Sequence, residues 1–322
     1  QLDIPFNNKF SATTQLLMSG IDDYDPEVSW AYISWKLDSK NLFRIGRSRT
    51  STFLYSDSIE VGYTYPWVRP PEEVYWQIPT PYNDGLEYIY RTPIGDFDLT
   101  LSAAGGVLED KIYSKKIRIK GLNGFANLGY QDLNFRLSYS AVKMTSDMRE
   151  VFSNLFENYN IPADDATVNE IANVDDEKGS FFSFGVQYEA EKLSLIGEYT
   201  KRTVDKLFPE TNAWYVSAAY RIDSWQPYVV LSQIETFDFD ERYYRGDTPA
   251  NQAIEPFINQ VLENMLNIEQ RSIAVGVRYD FTFSAALKFE YRHVDTQGTV
   301  GLFNSVPDGD SDFYTITFDY VF

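Results

Sequence analysis

The side chains able to do chemistry in this chain are carboxylates, guanidiniums and amines, with a single histidine, His293, and no cysteine. Without cysteine there is no thiolate zinc or iron–sulfur site and no disulfide, and one histidine cannot build a multi-histidine metal centre. A histidine base needs a nucleophile held beside it. His293 is followed by Val294, Asp295 and Thr296, with no serine close by, so an enzyme is not expected. Asp22, Asp23, Asp25 and Glu27, and again Asp308, Asp310 and Asp312, are dense enough to bind calcium, although such clusters are more often solvated loop tips. A third group is larger. Asp57, Glu60, Glu72, Glu73 and Asp84 fall in or beside one proline-rich stretch, 50–83, while Arg44, Arg47, Arg49, Arg91, Arg136, Arg278, Lys288 and Arg292 are spread along the chain. Acids and bases facing one another across a narrow gap would set up a transverse field that orders water and favours small dipolar molecules. The net charge of −19 opposes broad contact with nucleic acid.

The elements that would position these groups are strands. Phe97, Leu99, Leu101 and Ala103 alternate with Asp98, Thr100 and Ser102; Leu133, Phe135, Leu137 and Tyr139 alternate with Asn134, Arg136 and Ser138. The same period of two returns at Ile273, Val275, Val277, Tyr279 and Phe281, and at Leu287, Phe289 and Tyr291. Each such segment has one apolar and one polar face. No run approaches the roughly 18 apolar residues of a membrane-spanning helix.

Connection lengths separate a soluble sandwich from a barrel. Strands are expected near 9–18, 28–37, 42–49, 84–92, 96–104, 117–130, 133–143, 180–189, 192–202, 212–221, 225–235, 270–281, 284–295 and 311–322. The connections then alternate strictly between tight turns, such as Gln131–Asp132 and Thr282–Phe283, and long loops at 19–27, 50–83, 105–116, 144–179, 203–211, 236–269 and 296–310. Short turns on one side and long loops on the other are the pattern of a transmembrane antiparallel β-barrel spanning 1–322 as a single unit. A sandwich with three structureless loops above roughly 30 residues would be improbable. Gln1–Ile4 adds a fifteenth partial strand, whereas single-chain bacterial barrels are even-numbered. Sixteen strands, with N-terminal strand residues missing from this sequence, is the expectation; fourteen, with residues 1–4 a plug or tail, is the alternative.

The last residues, Tyr314, Ile316, Phe318, Tyr320 and Phe322, form an unbroken apolar face ending in a terminal phenylalanine. This resembles the C-terminal strand of bacterial outer-membrane proteins. The runs Trp-Ala-Tyr-Ile-Ser (30–34), Arg-Ile-Gly-Arg-Ser-Arg (44–49), Tyr-Ser-Asp (55–57), Val-Gly-Tyr (61–63) and Pro-Trp-Val-Arg-Pro-Pro-Glu-Glu-Val-Tyr (66–75) resemble porin-like proteins of gammaproteobacteria, distantly similar to the trimeric general porins. Relatives often carry a proline shortly after the Gly-Arg segment; here Thr50, Ser51 and Thr52 stand there, so the path into the loop is expected to differ. The resemblance implies a homotrimeric, water-filled pore in the outer membrane of a Gram-negative bacterium, in contact with outer-membrane lipid and lipopolysaccharide, that passes small hydrophilic solutes and ions. A loop-plugged barrel acting as receptor, adhesin or assembly partner is the rival reading.

In general porins the third extracellular loop folds inward and narrows the channel, and the resemblance gives that role to 50–83. Its prolines Pro66, Pro70, Pro71, Pro79 and Pro81 would stiffen it, and Trp67, Tyr75 and Trp76 would pack it on the wall. Asp57, Glu60, Glu72 and Glu73 would then face Arg44, Arg47, Arg49, Arg91 and Arg136 across the constriction. Strict alternation sends Arg44 to one face and Arg47 and Arg49 to the other, so a bulge at Gly46 is expected to turn all three inward. Trp30, Tyr32 and Ile33–Trp35 are apolar enough for a subunit contact. In the loop 236–269, Ile254, Phe257, Ile258, Val261, Leu262, Met265 and Leu266 recur at helical spacing, and short helices are expected there and in 144–179, over 147–158 and 164–173, capping the mouth.

Overall fold

A computed structural model describes residues 1–20, 23–78, 82–112, 115–205, 208–237, 244–303 and 310–322. Fifteen strands follow one another in the chain: β1 (Leu2–Pro5), β2 (Phe10–Met18), β3 (Pro26–Lys36), β4 (Asn41–Arg49), β5 (Tyr82–Ile94), β6 (Phe97–Ile112), β7 (Lys115–Tyr130) and β8 (Leu133–Asp147), then β9 (Asn173–Glu189), β10 (Leu193–Val204), β11 (Thr211–Tyr220), β12 (Trp225–Thr236), β13 (Glu269–Thr282), β14 (Ala285–Asp295) and β15 (Ser311–Tyr320). They form one sheet in sequence order, each strand antiparallel to the next. The N-terminal residues pair with β2, Ile4 opposite Ala12, so they are a strand and not the free tail of the fourteen-strand alternative.

Alternation fixes which side chains meet which solvent, and the result is inverted relative to a soluble protein. On β10 to β14 the outward positions Leu195, Val216, Leu231, Val275 and Phe289 are 38 % to 52 % exposed or close to it, as are Val229 and Ile273. The opposite face carries Glu198, Thr200, Ser217, Ser232, Ser272, Lys288 and Glu290, all buried. An apolar exterior wrapped around a polar interior is stable only where hydrocarbon replaces water outside. Trp225, Tyr279, Phe281, Phe283, Tyr320 and Phe322 gather beside the short turns as one aromatic rim, with the Tyr279 ring tilted against Trp225 and edge-on to Phe281.

The turns follow from local chemistry. Asp38 accepts from the backbone of Lys40 and Asn41 at 2.8 and 2.9 Å, closing the β3–β4 turn, and Gly95 adopts φ +60° between β5 and β6. Two expected loops are shorter than the sequence suggests. β6 and β7 continue as a paired hairpin through most of 105–116, with Leu108 and Ile117 buried on its inner face, and β8 and β9 extend into 144–179 from both ends. What remains of that loop holds α2 (Arg149–Asn158) and α3 (Asp165–Ala172); 236–269 holds α4 (Pro249–Leu266), and α1 is a single turn at Glu72–Tyr75. Phe152, Phe156 and Val168 pack with Ile258, Val261 and Leu262, so both long loops share one small core. The side chain of Met265 lies outside the described residues.

Candidate constriction site

Residues 50–78 lie along the inner face of β8 to β15 and are fastened there at every turn. Trp67 and Val74 are fully buried, and they join Phe53, Tyr55, Tyr65 and Tyr75 in a cluster with the inward side chains Phe181, Ile196, Tyr215, Tyr228, Val230 and Ile234. Trp67 Nε1 donates to Ser217 Oγ at 2.7 Å, and its ring meets Tyr215 edge-on. Pro71 precedes the single turn α1, where a fixed φ suits a helix start, and its carbonyl accepts from Tyr75 at 3.0 Å. Pro79 and Pro81 lie outside the described residues.

Below the aromatic layer, the basic ladder of the wall grips the loop's backbone. Arg136 donates to the Ser51 carbonyl at 3.1 Å; Arg278 donates to the carbonyls of Tyr63 and Tyr65 at 2.7 and 3.2 Å; Lys288 donates to those of Gly62 and Trp67, both at 2.6 Å. Ser138 adds a bond to the Thr52 carbonyl at 2.6 Å, and Glu198 accepts from the Leu54 amide and the Tyr75 hydroxyl. Loop carbonyls that face inward have no secondary-structure partner, so each requires such a donor. Arg136 is buried, with its guanidinium over the Phe125 ring at 4.0 Å. It anchors the loop and does not line the gap, contrary to the expectation from sequence.

Glu73 also differs from expectation. Its side chain is fully buried and receives bonds from Arg292, Gln270, Ser272 and Ser232 at 2.7 to 2.8 Å. Burial alone would raise this carboxyl, but the Arg292 charge and the bonds from Gln270 and Ser272 hold it below its ordinary value. Glu72 is half-buried between Arg292 at 2.5 Å and Arg69 at 2.9 Å. The acidic pair on α1 is therefore a fastening of the loop to β14.

The groups left on the open side are few. Asp57 is exposed, accepts only from the Ser51 hydroxyl at 3.0 Å, and has no cationic partner within 4 Å among the described residues. Glu60 is exposed but paired with Arg49 at 2.9 Å, and Arg49 turns inward at the end of β4 to reach it and Ser29. On the wall, Arg44 points inward, pairs with Glu87 at 3.2 Å and covers the Tyr32 ring. Arg91 lies on the same face as Glu87, exposed towards the short-turn end of β5. Trp76 is 62 % exposed beside these acids' loop.

Arg47 does not join them. The β3–β4–β5 pairing runs without a register shift, so Arg47 stays on the face of Ile45 and Leu86 and makes a two-point pair with Asp84 at 2.8 Å. Gly46 has φ +130°, and a Cβ there would meet the Ala31 carbonyl at 2.3 Å, so the glycine permits close strand approach and not the expected bulge. Trp30 and Tyr32 fall on the inner face with Arg44, leaving only Ile33 and Trp35 of the expected contact patch outside.

His293 hydrogen-bonds Asp312 at 2.8 Å on the outer face, and the Tyr291 hydroxyl shares that carboxylate. Asp22 and Asp308 lie outside the described residues; among those described, no group of three acids or histidines converges as a metal cage.

Comparison with known proteins settles the architecture. No family model matches the sequence, and no curated protein does. Solved structures match along the whole chain. An anion-selective porin from Comamonas acidovorans has a TM-score of 0.60 and 11% identity, covering 99% of this chain and 87% of its own. OmpF of Salmonella typhi, in complex with daunomycin, has a TM-score of 0.58 and 13% identity, covering 98% and 87%. The trimer form of OmpT of Vibrio cholerae, folded in vitro, has a TM-score of 0.58 and 14% identity, covering 99% and 89%. The chain has the porin fold. Within that fold the sequence pattern read inward polarity correctly, but it could not separate charges that line the gap from charges that clamp the loop. The signal for the clamp is the pairing of lumen-facing bases with a proline-rich loop rich in unpaired carbonyls.

Proposed function

We propose that the protein is an outer-membrane porin that lets small hydrophilic solutes and ions diffuse passively, with 50–83 as its constriction loop. The observation that carries this reading is the one-sidedness of the loop. Apart from Glu60 with Arg49, its described bonds and packing fall on β8 to β15, while Asp57 and Trp76 stay exposed on the other side. A loop held to one wall narrows a lumen without filling it. The polar inner face and apolar outer face support the membrane setting, as does a row of lysines on the outer face. Lys120, Lys143 and Lys178 stand directly opposite one another across β7, β8 and β9, just beyond Leu122 and Tyr139. Asp176 pairs with Lys120 and Lys143 at 2.7 and 2.9 Å, so part of the like-charge repulsion is offset within the protein, and the net positive charge left on the row suits phosphorylated headgroups of lipopolysaccharide.

Single-channel recording in a planar bilayer tests the proposal. Stepwise, ohmic conductance is expected. Natively folded protein that inserts and carries no current would overturn it and favour the rival reading, a barrel closed by its loops, for which the shared helical core of α2, α3 and α4 is the supporting feature.

A further inference from the structure

The lumen of this barrel is polar at the loop and apolar just above it. Between the two ends of 50–78 and the far ends of β6 to β10, the inward side chains Leu108, Ile119, Val142, Met144, Val204 and Phe208 line a partly open cavity of about 140 Å³, with Ile78 of the loop at its edge. Its rim carries polar groups whose hydrogen bonds are already made. Asn123 bonds Ser140 at 2.8 Å, Gln77 bonds the carbonyls of Glu73 and Val74 and the hydroxyls of Thr200 and Thr211, and Arg49 bonds Glu60. Arg202 bonds the carbonyls of Pro209 and Gln77. Arg49 is paired with Glu60 and the Arg202 guanidinium is turned to two backbone carbonyls, so the inner lining between them is mainly hydrocarbon.

Gly179 lines the same cavity, and a Cβ there would lie 3.1 Å from Val142 Cγ2 and 3.7 Å from Met144 Cε. The contact with Val142 is tighter than ordinary packing, so a side chain here would push Val142 into the space and reduce it. An apolar cavity of about 150 Å³ lined by Leu, Ile and Phe admits benzene, so a ring or a short branched alkyl group fits one of this size. A pore built only for fully hydrophilic solutes has no use for such a surface beside its entry to the constriction, where apolar lining is costly to keep wet.

We infer that the cavity is a binding site for the apolar end of small amphiphilic solutes, a ring or short alkyl group seated against Val142, Ile119 and Phe208 with the polar end left in the water above the loop. The assignment of this site to the solute path rests on the porin reading; the binding itself does not.

The test uses the full chain in lipid nanodiscs and two probes of equal charge, benzyltrimethylammonium and tetramethylammonium, with affinities read by ligand-observed NMR. The benzyl probe should bind about tenfold more tightly, as expected for removing one ring face and edge from water. Gly179→Leu fills the cavity and Ile119→Asn makes it polar at similar volume; either should bring the two probes to within about twofold. Should Gly179→Leu fail to give heat-modifiable, folded protein, Ile119→Asn decides alone. Equal affinities in the unmodified protein, or a benzyl preference that survives in a folded variant, would overturn the site. A benzyl preference lost in the variants supports it even if no conductance is found, in which case the porin reading fails and the binding site stands.

Discussion

Glu73 Oε1 lies 2.7 Å from Arg292 Nη2, joining two residues 219 positions apart in the chain, with Glu73 fully buried and Arg292 largely so where the loop meets the wall. The pair connects the turn α1 to β14 and closes the far end of a loop that enters the lumen from β4. Because Ser232, Ser272 and Gln270 fill the remaining acceptor sites of the carboxylate, the charge is fully met.

Removing the carboxylate leaves Arg292, among the described residues, with Glu72 and a long bond to the Ser272 hydroxyl at 3.3 Å. Glu73→Ala should therefore weaken loop attachment by about 3 kcal/mol, the lower end of the range for breaking a buried ion pair, since Glu72 still meets part of the charge. Noisier open-channel current and chymotrypsin cleavage after Tyr75, buried while the loop is seated, are the expected readouts. A quiet, protease-resistant variant would show that the aromatic packing alone holds the loop.

The pH dependence follows from the same group. Glu73 has its carboxyl held below the ordinary 4.5, so its contribution to loop attachment is complete above that value and is lost as pH falls through the lowered one. Conductance should be steady from neutral pH down to about the ordinary carboxylate range and become unstable in stronger acid. Glu73→Gln should lack that acid transition because it has no proton to take up.

Selectivity belongs to a different acid. Asp57 is exposed and, among the described residues, has no cationic partner within 4 Å, whereas Glu72 and Glu73 are committed to Arg292. Asp57→Asn should shift the reversal potential in a salt gradient towards anions. The shift should be greater at about 0.01 M salt, where the Debye length is about 30 Å, than at physiological strength, where it is about 8 Å. An unmoved reversal potential at both would place Asp57 off the ion path.

These contrasts mark what the sequence could and could not reveal. Strand positions were legible because side-chain alternation is a local property, and the alternation of Leu287, Phe289 and Tyr291 with Lys288 and Glu290 survives unchanged in β14. The hairpin extension through 105–116 was harder to see because Gly105 and Gly106 interrupt the apolar pattern before Leu108. The roles of Arg136 and Lys288 depend on where a loop 85 and more than 220 positions away in the chain lays its carbonyls, and that of Glu73 on Arg292, 219 positions away; no local pattern encodes either. Arg47 was misplaced for the opposite reason: strict alternation gave the right face, and Asp84 directly across the ladder supplies the partner that lets an outward arginine stay there.

Trp67 gives the most direct measure of how firmly the loop is seated. Its indole is fully buried among Tyr55, Tyr65 and Tyr215, and its Nε1 proton goes to Ser217. Trp67→Ala should cost about 3–5 kcal/mol of local stability, the range for emptying a large buried aromatic site. Since the strands keep their ladder, the barrel should remain heat-modifiable while the loop loosens, giving larger and more variable conductance. Trp67→Phe should restore most of the packing and lose only the bond to Ser217, about 1 kcal/mol.

Assembly can be tested on the outer face, where Ile33, Ile45 and Leu86 stand in one cross-strand row at 48%, 61% and 52% exposure, with Trp35 beside them. Hydrocarbon would cover such a row as well as a neighbouring subunit would, so burial alone does not distinguish them. A charge does: Ile45→Asp at a subunit contact would oppose its own copies, whereas at a lipid-facing site it would affect insertion and leave association intact. The unmodified protein should have the mass of a trimer in mild detergent, and Ile45→Asp should dissociate it into folded monomers. A monomeric mass for the unmodified protein, or a trimer indifferent to the charge, would place the subunit contact elsewhere or remove it.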